Sequence, residues 1–141
     1  MIEEQYKKLQ KIHKAIRTAI ELEGFAYRPA ENWFNLELGL IPSGNLNHAF
    51  SIRFEQLADA EDSEDMGVVS VVAEFALDGK QDRYLDKIDL CVKSVKEAID
   101  AIRADTDIDG INFHAPRFST TYAAELIVIT FLPLEVNYLF E

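Results

Sequence analysis

Residues 67–77 read GVVSVVAEFAL, and this stretch decides the fold. Valine is stiff at its β-branch and packs well on a pleated surface, so four valines in six residues favour a strand. The run is apolar on both alternating faces until Glu74, which predicts a central strand flanked on both sides and covered on at least one. Asp78-Gly79 then supplies a turn signal that closes it. A central strand needs neighbours and a covering layer, and the rest of the chain has to provide them.

Upstream, Leu36, Leu38 and Leu40 alternate with Asn35, Glu37 and Gly39, and Phe50, Ile52 and Phe54 alternate with Ser51, Arg53 and Glu55. That period of two marks strands. Pro42-Ser43-Gly44-Asn45 between them is a turn, so residues 35–56 are expected to form a β-hairpin that projects as an arm. Residues 58–65 (ADAEDSED) are dense in like charges and are expected to form a mobile loop. Downstream, residues 111–113 predict a short strand, a loop follows around Pro116, and ELIVITFL at 125–132 predicts a strong strand interrupted by Pro133. The alternating tail Leu134, Val136, Tyr138 and Phe140 is expected to pack on its own sheet or on a neighbouring subunit.

The covering layer comes from two helical stripes. Ile2, Tyr6, Leu9, Ile12, Ile16 and Ile20 recur every three or four residues, with Lys7, Lys8, Lys11, Lys14 and Arg17 off the stripe as a solvated surface. Gly24 fits the left-handed position that ends such a helix. After a loop holding Pro29 and Trp33 and the strands above, Tyr84, Ile88, Cys91, Val95, Ala98 and Ile102 repeat the pattern over 84–103, with Asp82 as its N-cap. The order is helix, three strands, helix, two strands. It predicts an α+β domain over residues 1–141, with two helices packed on one face of a mostly antiparallel sheet and a protruding β-hairpin.

Composition narrows the function. The 141 residues suit one domain with one core, and 48% hydrophobic content is too apolar for a disordered chain. Cys91 is the lone cysteine, so a disulfide scaffold is excluded and a reducing cytoplasm is the expected place of assembly. The first twenty residues lack the apolar core of a signal peptide, and the run near Leu126 to Leu134 is far short of a bilayer span, so neither a leader nor a membrane is expected. The net charge is −11, distributed unevenly: residues 1–28 carry six basic and four acidic groups, and the remainder eight against twenty-one. So acidic a body disfavours specific nucleic-acid binding.

Candidate chemistry is thin. Asp105-Thr106-Asp107-Ile108-Asp109-Gly110 fits the first six positions of a calcium loop, but the bidentate glutamate due at the twelfth position is replaced by Pro116. His13, His48 and His114 show no ligand or triad spacing, Cys91 lies within a core stripe with no histidine near it, and Gly44 and Gly67 stand apart from any phosphate-cradling cluster. The expectation is no catalytic, metal or cofactor site and no enzymatic activity.

Three features carry a resemblance: the N-terminal helix ending at Gly24, the helix opening at Arg83-Tyr84-Leu85 after a core strand, and the aromatic-rich closing segment from Thr121-Tyr122 to Phe131. With the element order, they make the chain similar over nearly its whole length to the tail terminator proteins of long-tailed bacteriophages. That resemblance implies a structural virion protein assembled in the host cytoplasm, forming a homo-hexameric ring. The ring caps the tail tube, touches the tube protein and the head-tail connector, and lets DNA pass through its lumen. The size, acidity and element order also resemble type III secretion chaperones, which dimerise and hold an unfolded effector, although those usually close with a further helix.

Overall fold

The structure is a computed structural model that describes residues 2–34, 48–59, 66–78, 84–105, 108, 110–115, 117–123 and 126–139. Helix α1 spans Ile2–Leu22 and α2 spans Tyr84–Ala104. The strands are β1 (Ala26–Tyr27), β2 (Ala49–Asp59), β3 (Met66–Asp78), β4 (Ile111–Phe113), β5 (Phe118–Ala123) and β6 (Leu126–Leu139), and a 3-10 turn covers Ala30–Asn32. This is an α+β fold, with a six-stranded sheet ordered β1-β2-β3-β6-β4 and β5 also paired to β6. All its pairings are antiparallel except the two-rung β1–β2 ladder.

GVVSVVAEFAL is the sheet's middle, paired to β2 on one side and β6 on the other. Its alternation sorts the two layers. Val71, Ala73, Phe75 and Leu77 join Phe50 and Ile52 of β2, and Ile127, Ile129 and Phe131 of β6, in the main core. Ile12, Ile16 and Ile20 of α1 and Cys91, Val95, Ala98, Ile99 and Ile102 of α2 close over that face. Both helical stripes are thus spent on the same side of the sheet. Gly24 ends α1 at φ 92°, a backbone angle that side chains resist, and Phe25 then drops into the core.

Pro133 interrupts the pairing as a bulge: Leu132 and Pro133 together oppose Val72, and β6 then continues to Leu139. Three expectations need correction. FSTTYA, expected between the loop around Pro116 and the strand at 125–132 without an element of its own, is strand β5. Residues 58 and 59, expected in the acidic loop, continue β2. Two residues of the expected loop after Gly24 form β1, which docks beside Ala49 and Phe50. The first strand and turn of the 35–56 hairpin, the acidic residues 60–65 and the Asp82 cap lie outside the described residues; the described hairpin is β2 with β3.

At about 3.3 Å per residue, the 13 and 14 residues of β3 and β6 run roughly 40–45 Å, whereas either 21-residue helix is about 30 Å long.

Candidate functional site

The face of the sheet away from the helices carries the polar members of the same alternation. Register brings Glu74 of β3 between Ser51 of β2 and Thr130 of β6. Glu74 is only 6% exposed, and its two carboxylate oxygens are both engaged: Oε1 accepts from the Arg53 guanidinium and Oε2 accepts from the Thr130 hydroxyl at 2.6 Å. Arg53 also donates to Glu55 at 2.6 Å. Burial works against the Arg53 cation, but its hydrogen bonds to Glu55 and Glu74 and their negative charges outweigh that, so its pKa is raised. A buried carboxylate on a sheet face is tolerable because donors come from both neighbouring strands.

Toward β1 the same face becomes apolar. Trp33 and Phe34 pack edge to face at 5.1 Å over Ala49, Ala76 and Val128. The Trp33 Nε1 and the Ser51 hydroxyl are buried here without a hydrogen-bond partner among the described residues.

Toward β4 the face opens into a cleft of about 700 Å³. Strands β4 and β5 lie end to end along β6, since both pair with β6 residues whose other side is taken by β3. His114, Ala115 and Arg117 lie between them in sequence, and the His114 N–H donates to the Pro133 carbonyl at 2.9 Å, beside the Leu132-Pro133 bulge. The mismatch of two irregular segments leaves the hollow. Its polar lining includes Ser70, Thr130, Arg117, His114 and Glu135; Phe113, Phe118 and Leu132 form the apolar wall. His114 Nε2 lies 3.5 Å from Glu135 Oε1. The Thr130 proton is directed to Glu74, and no hydroxyl among the described residues is hydrogen-bonded to His114.

The residues singled out by sequence lie apart. Cys91 is wholly buried in α2, and burial pushes its thiol up to about 12, which leaves a protonated apolar group. His13 on α1 shares a hydrogen bond of 3.2 Å with the Tyr27 hydroxyl; burial first, and the Arg17 charge second, lower its pKa. His48 takes a left-handed φ of 64° before β2 and stacks on Phe25 at 4.3 Å. The Asp105 backbone carbonyl accepts from the Ile108 N–H at 3.3 Å, while Thr106, Asp107, Asp109 and Pro116 fall outside the described residues. Among the described residues no three His, Cys, Asp or Glu side chains gather so as to hold a metal ion, and no helix is long and apolar enough to cross a membrane.

Sequence reasoning missed the Arg53–Glu74–Thr130 network and the β5 edge. Glu74 was visible as the one charge in an apolar strand, but its partners depend on register, which alternation alone does not set. β5 was legible in the alternation of Phe118, Thr120 and Tyr122. No protein-family model matches the chain, and no curated protein matches it in sequence.

Proposed function

We propose that this chain is a ring subunit of the tail terminator type, a structural virion protein that caps a phage tail tube and joins it to the head. One observation carries the reading beyond the element order: three of the four large hydrophobic side chains exposed among the described residues, Phe118, Tyr122 and Leu132, border one margin of a long, rigid sheet. Exposed apolar groups gathered on one edge are the mark of a protein-contact surface. The sheet's central strands, of 13 and 14 residues, are also longer than the helices, as suits a subunit that must reach neighbours. In the ring, six copies close around a lumen, and a body of net charge −11 lets DNA slide through without the counterion-releasing contacts that would retain it. The tube protein and the head-side connector are its other partners.

The test is to mix the purified protein with purified tail tubes and image them by electron microscopy. Six-fold density at one tube end supports the proposal, and bare tube ends at saturating protein overturn it. A protein that instead keeps an unfolded secretion effector soluble as a stoichiometric complex belongs to the chaperone class.

A further inference from the structure

β5 is an open edge. Its inner side pairs with β6 from Phe118↔Phe131 to Ala123↔Leu126, and no strand among the described residues pairs with its outer side. Open edges are normally guarded by lysine, proline or a bulge, because bare N–H and C=O groups recruit another strand. FSTTYA has none of these and no charge, in a chain where 28% of residues are charged. Its aromatic side chains are unburied, Phe118 at 44% and Tyr122 at 72% exposure. The opposite border of the sheet is different: β1 and the Arg28 N–H cover the start of β2, and Arg53 and Glu55 follow.

We propose that the free protein pairs with a second copy of itself through β5, antiparallel, about a two-fold axis at Thr120. An antiparallel pair related by a two-fold must bring together residues of equal parity, with both helix layers on one side. FSTTYA satisfies this about Thr120. Phe118 then lies opposite the partner's Tyr122, and Tyr122 opposite the partner's Phe118. Thr120 faces its own counterpart, and Ser119 faces the partner's Thr121. Aromatic pairs and hydroxyl pairs are the cross-strand combinations that stabilise antiparallel ladders. Charge selects the same contact, since two bodies of −11 meet with least repulsion where the strand carries no charge. The result is an isologous contact that stops at two and satisfies both edges.

This inference does not rest on the ring. A polar ring seated on a tube has no internal two-fold, so the pair would part before the ring closes, and edge pairing would hold the free chain out of premature assembly. The test is a Thr120→Cys variant under mild oxidation, with Asp100→Cys on the exposed face of α2 as control. Cys91 is buried and stays silent. A residue on the axis meets itself at the 4.5–5.5 Å Cα spacing of ladder partners, roughly within disulfide range. Thr120→Cys should therefore give a covalent dimer and the control none. Wild-type protein should sediment as a dimer, and Tyr122→Lys, at a largely exposed position, should raise the dimer dissociation constant at least tenfold with an unchanged circular dichroism spectrum. A wild-type monomer at high concentration, or a larger oligomer in which Thr120→Cys does not self-link, overturns the proposal. Rings on tubes without the Thr120 crosslink would sink this pairing alone. A crosslinked dimer with bare tube ends would sink the ring reading alone.

Discussion

Glu74 and Phe75 are neighbours in one strand, yet they face two different solvents. Phe75 looks toward the helices, and its ring meets Phe25 at 5.0 Å, Phe131 at 5.6 Å and Phe50 at 6.2 Å, with no part exposed. Glu74 looks the other way, into hydrogen bonds from Arg53 and Thr130. The helix-covered face is held by burial, which is non-directional and scales with area. The open face is held by directional bonds, each worth little net because water competes for the same groups. The comparison teaches that this sheet keeps its apolar core on one side and its buried polar network on the other, since Glu74, Arg53, Thr130 and the unpartnered Trp33 and Ser51 atoms all gather away from the helices.

The sharpest way to break the comparison is to truncate both residues. Phe75→Ala should cost about 3–5 kcal/mol in guanidinium unfolding, the range for removing a large core aromatic that cannot be replaced by collapse. Glu74→Ala should cost less, about 1.5–3 kcal/mol, because the hydrogen bonds lost involve a charge but the half-exposed Arg53 left behind can rehydrate. If Glu74→Ala proves the more damaging, the open face is the true keystone and the assignment of roles is reversed. Thr130→Val tests the same network more gently, at roughly 1 kcal/mol.

How much of this was legible in sequence depended on what fixes each feature. The covered face was readable, because periodicity of 3.6 in the helices and of 2 in the strands reports burial directly: Ile12, Ile16, Cys91, Val95, Ile129 and Phe131 all lie where their spacing places them. Pro133 was readable too, since a missing N–H in a strand marks an interruption, here a bulge in the ladder. The open face was not readable, because Glu74 meets Thr130 across 56 residues of chain and only the register of two ladders brings them together. The cleft arises from two irregular segments facing each other, a coincidence that no single segment records.

Cys91 offers a way to sharpen the claim that the covered face is dry. Its pKa in the folded chain is raised from an ordinary 9.0 to about 12. The unfolded chain then releases a proton above pH 9 that the folded chain retains, so stability is full below pH 9 and falls as pH rises toward 12. The slope reaches about 1.4 kcal/mol per pH unit from this group. Wild-type protein should lose stability between pH 9 and 11 more steeply than Cys91→Ala by up to that amount, whatever the offset left by the cavity. Parallel curves for the two proteins would mean that water reaches the thiol and that the face is wetter than its packing indicates.

His13 tests the rim of the same face, where the effect should be smallest. It is partly buried between α1 and the Tyr27 and Phe54 rings, and its pKa is lowered below 6.5, by burial first and by Arg17 second. The folded chain therefore keeps His13 neutral at a pH where the unfolded chain takes up a proton. The stability this group contributes is present above 6.5 and is lost as pH falls below it. Since the lowering is moderated by the rim's contact with water, the loss should be the smallest of these effects. His13→Gln should flatten the stability curve between pH 6.5 and 5, and the His13 ring proton should titrate by NMR with a midpoint below 6.5 in the wild type. Arg17→Gln separates the two causes, because it removes the charge and leaves the packing. The midpoint should then rise only part of the way back. A full return to 6.5 would show that the lowering is a surface-charge effect, and that the boundary between the dry and wet sides of the molecule runs inside His13 rather than outside it.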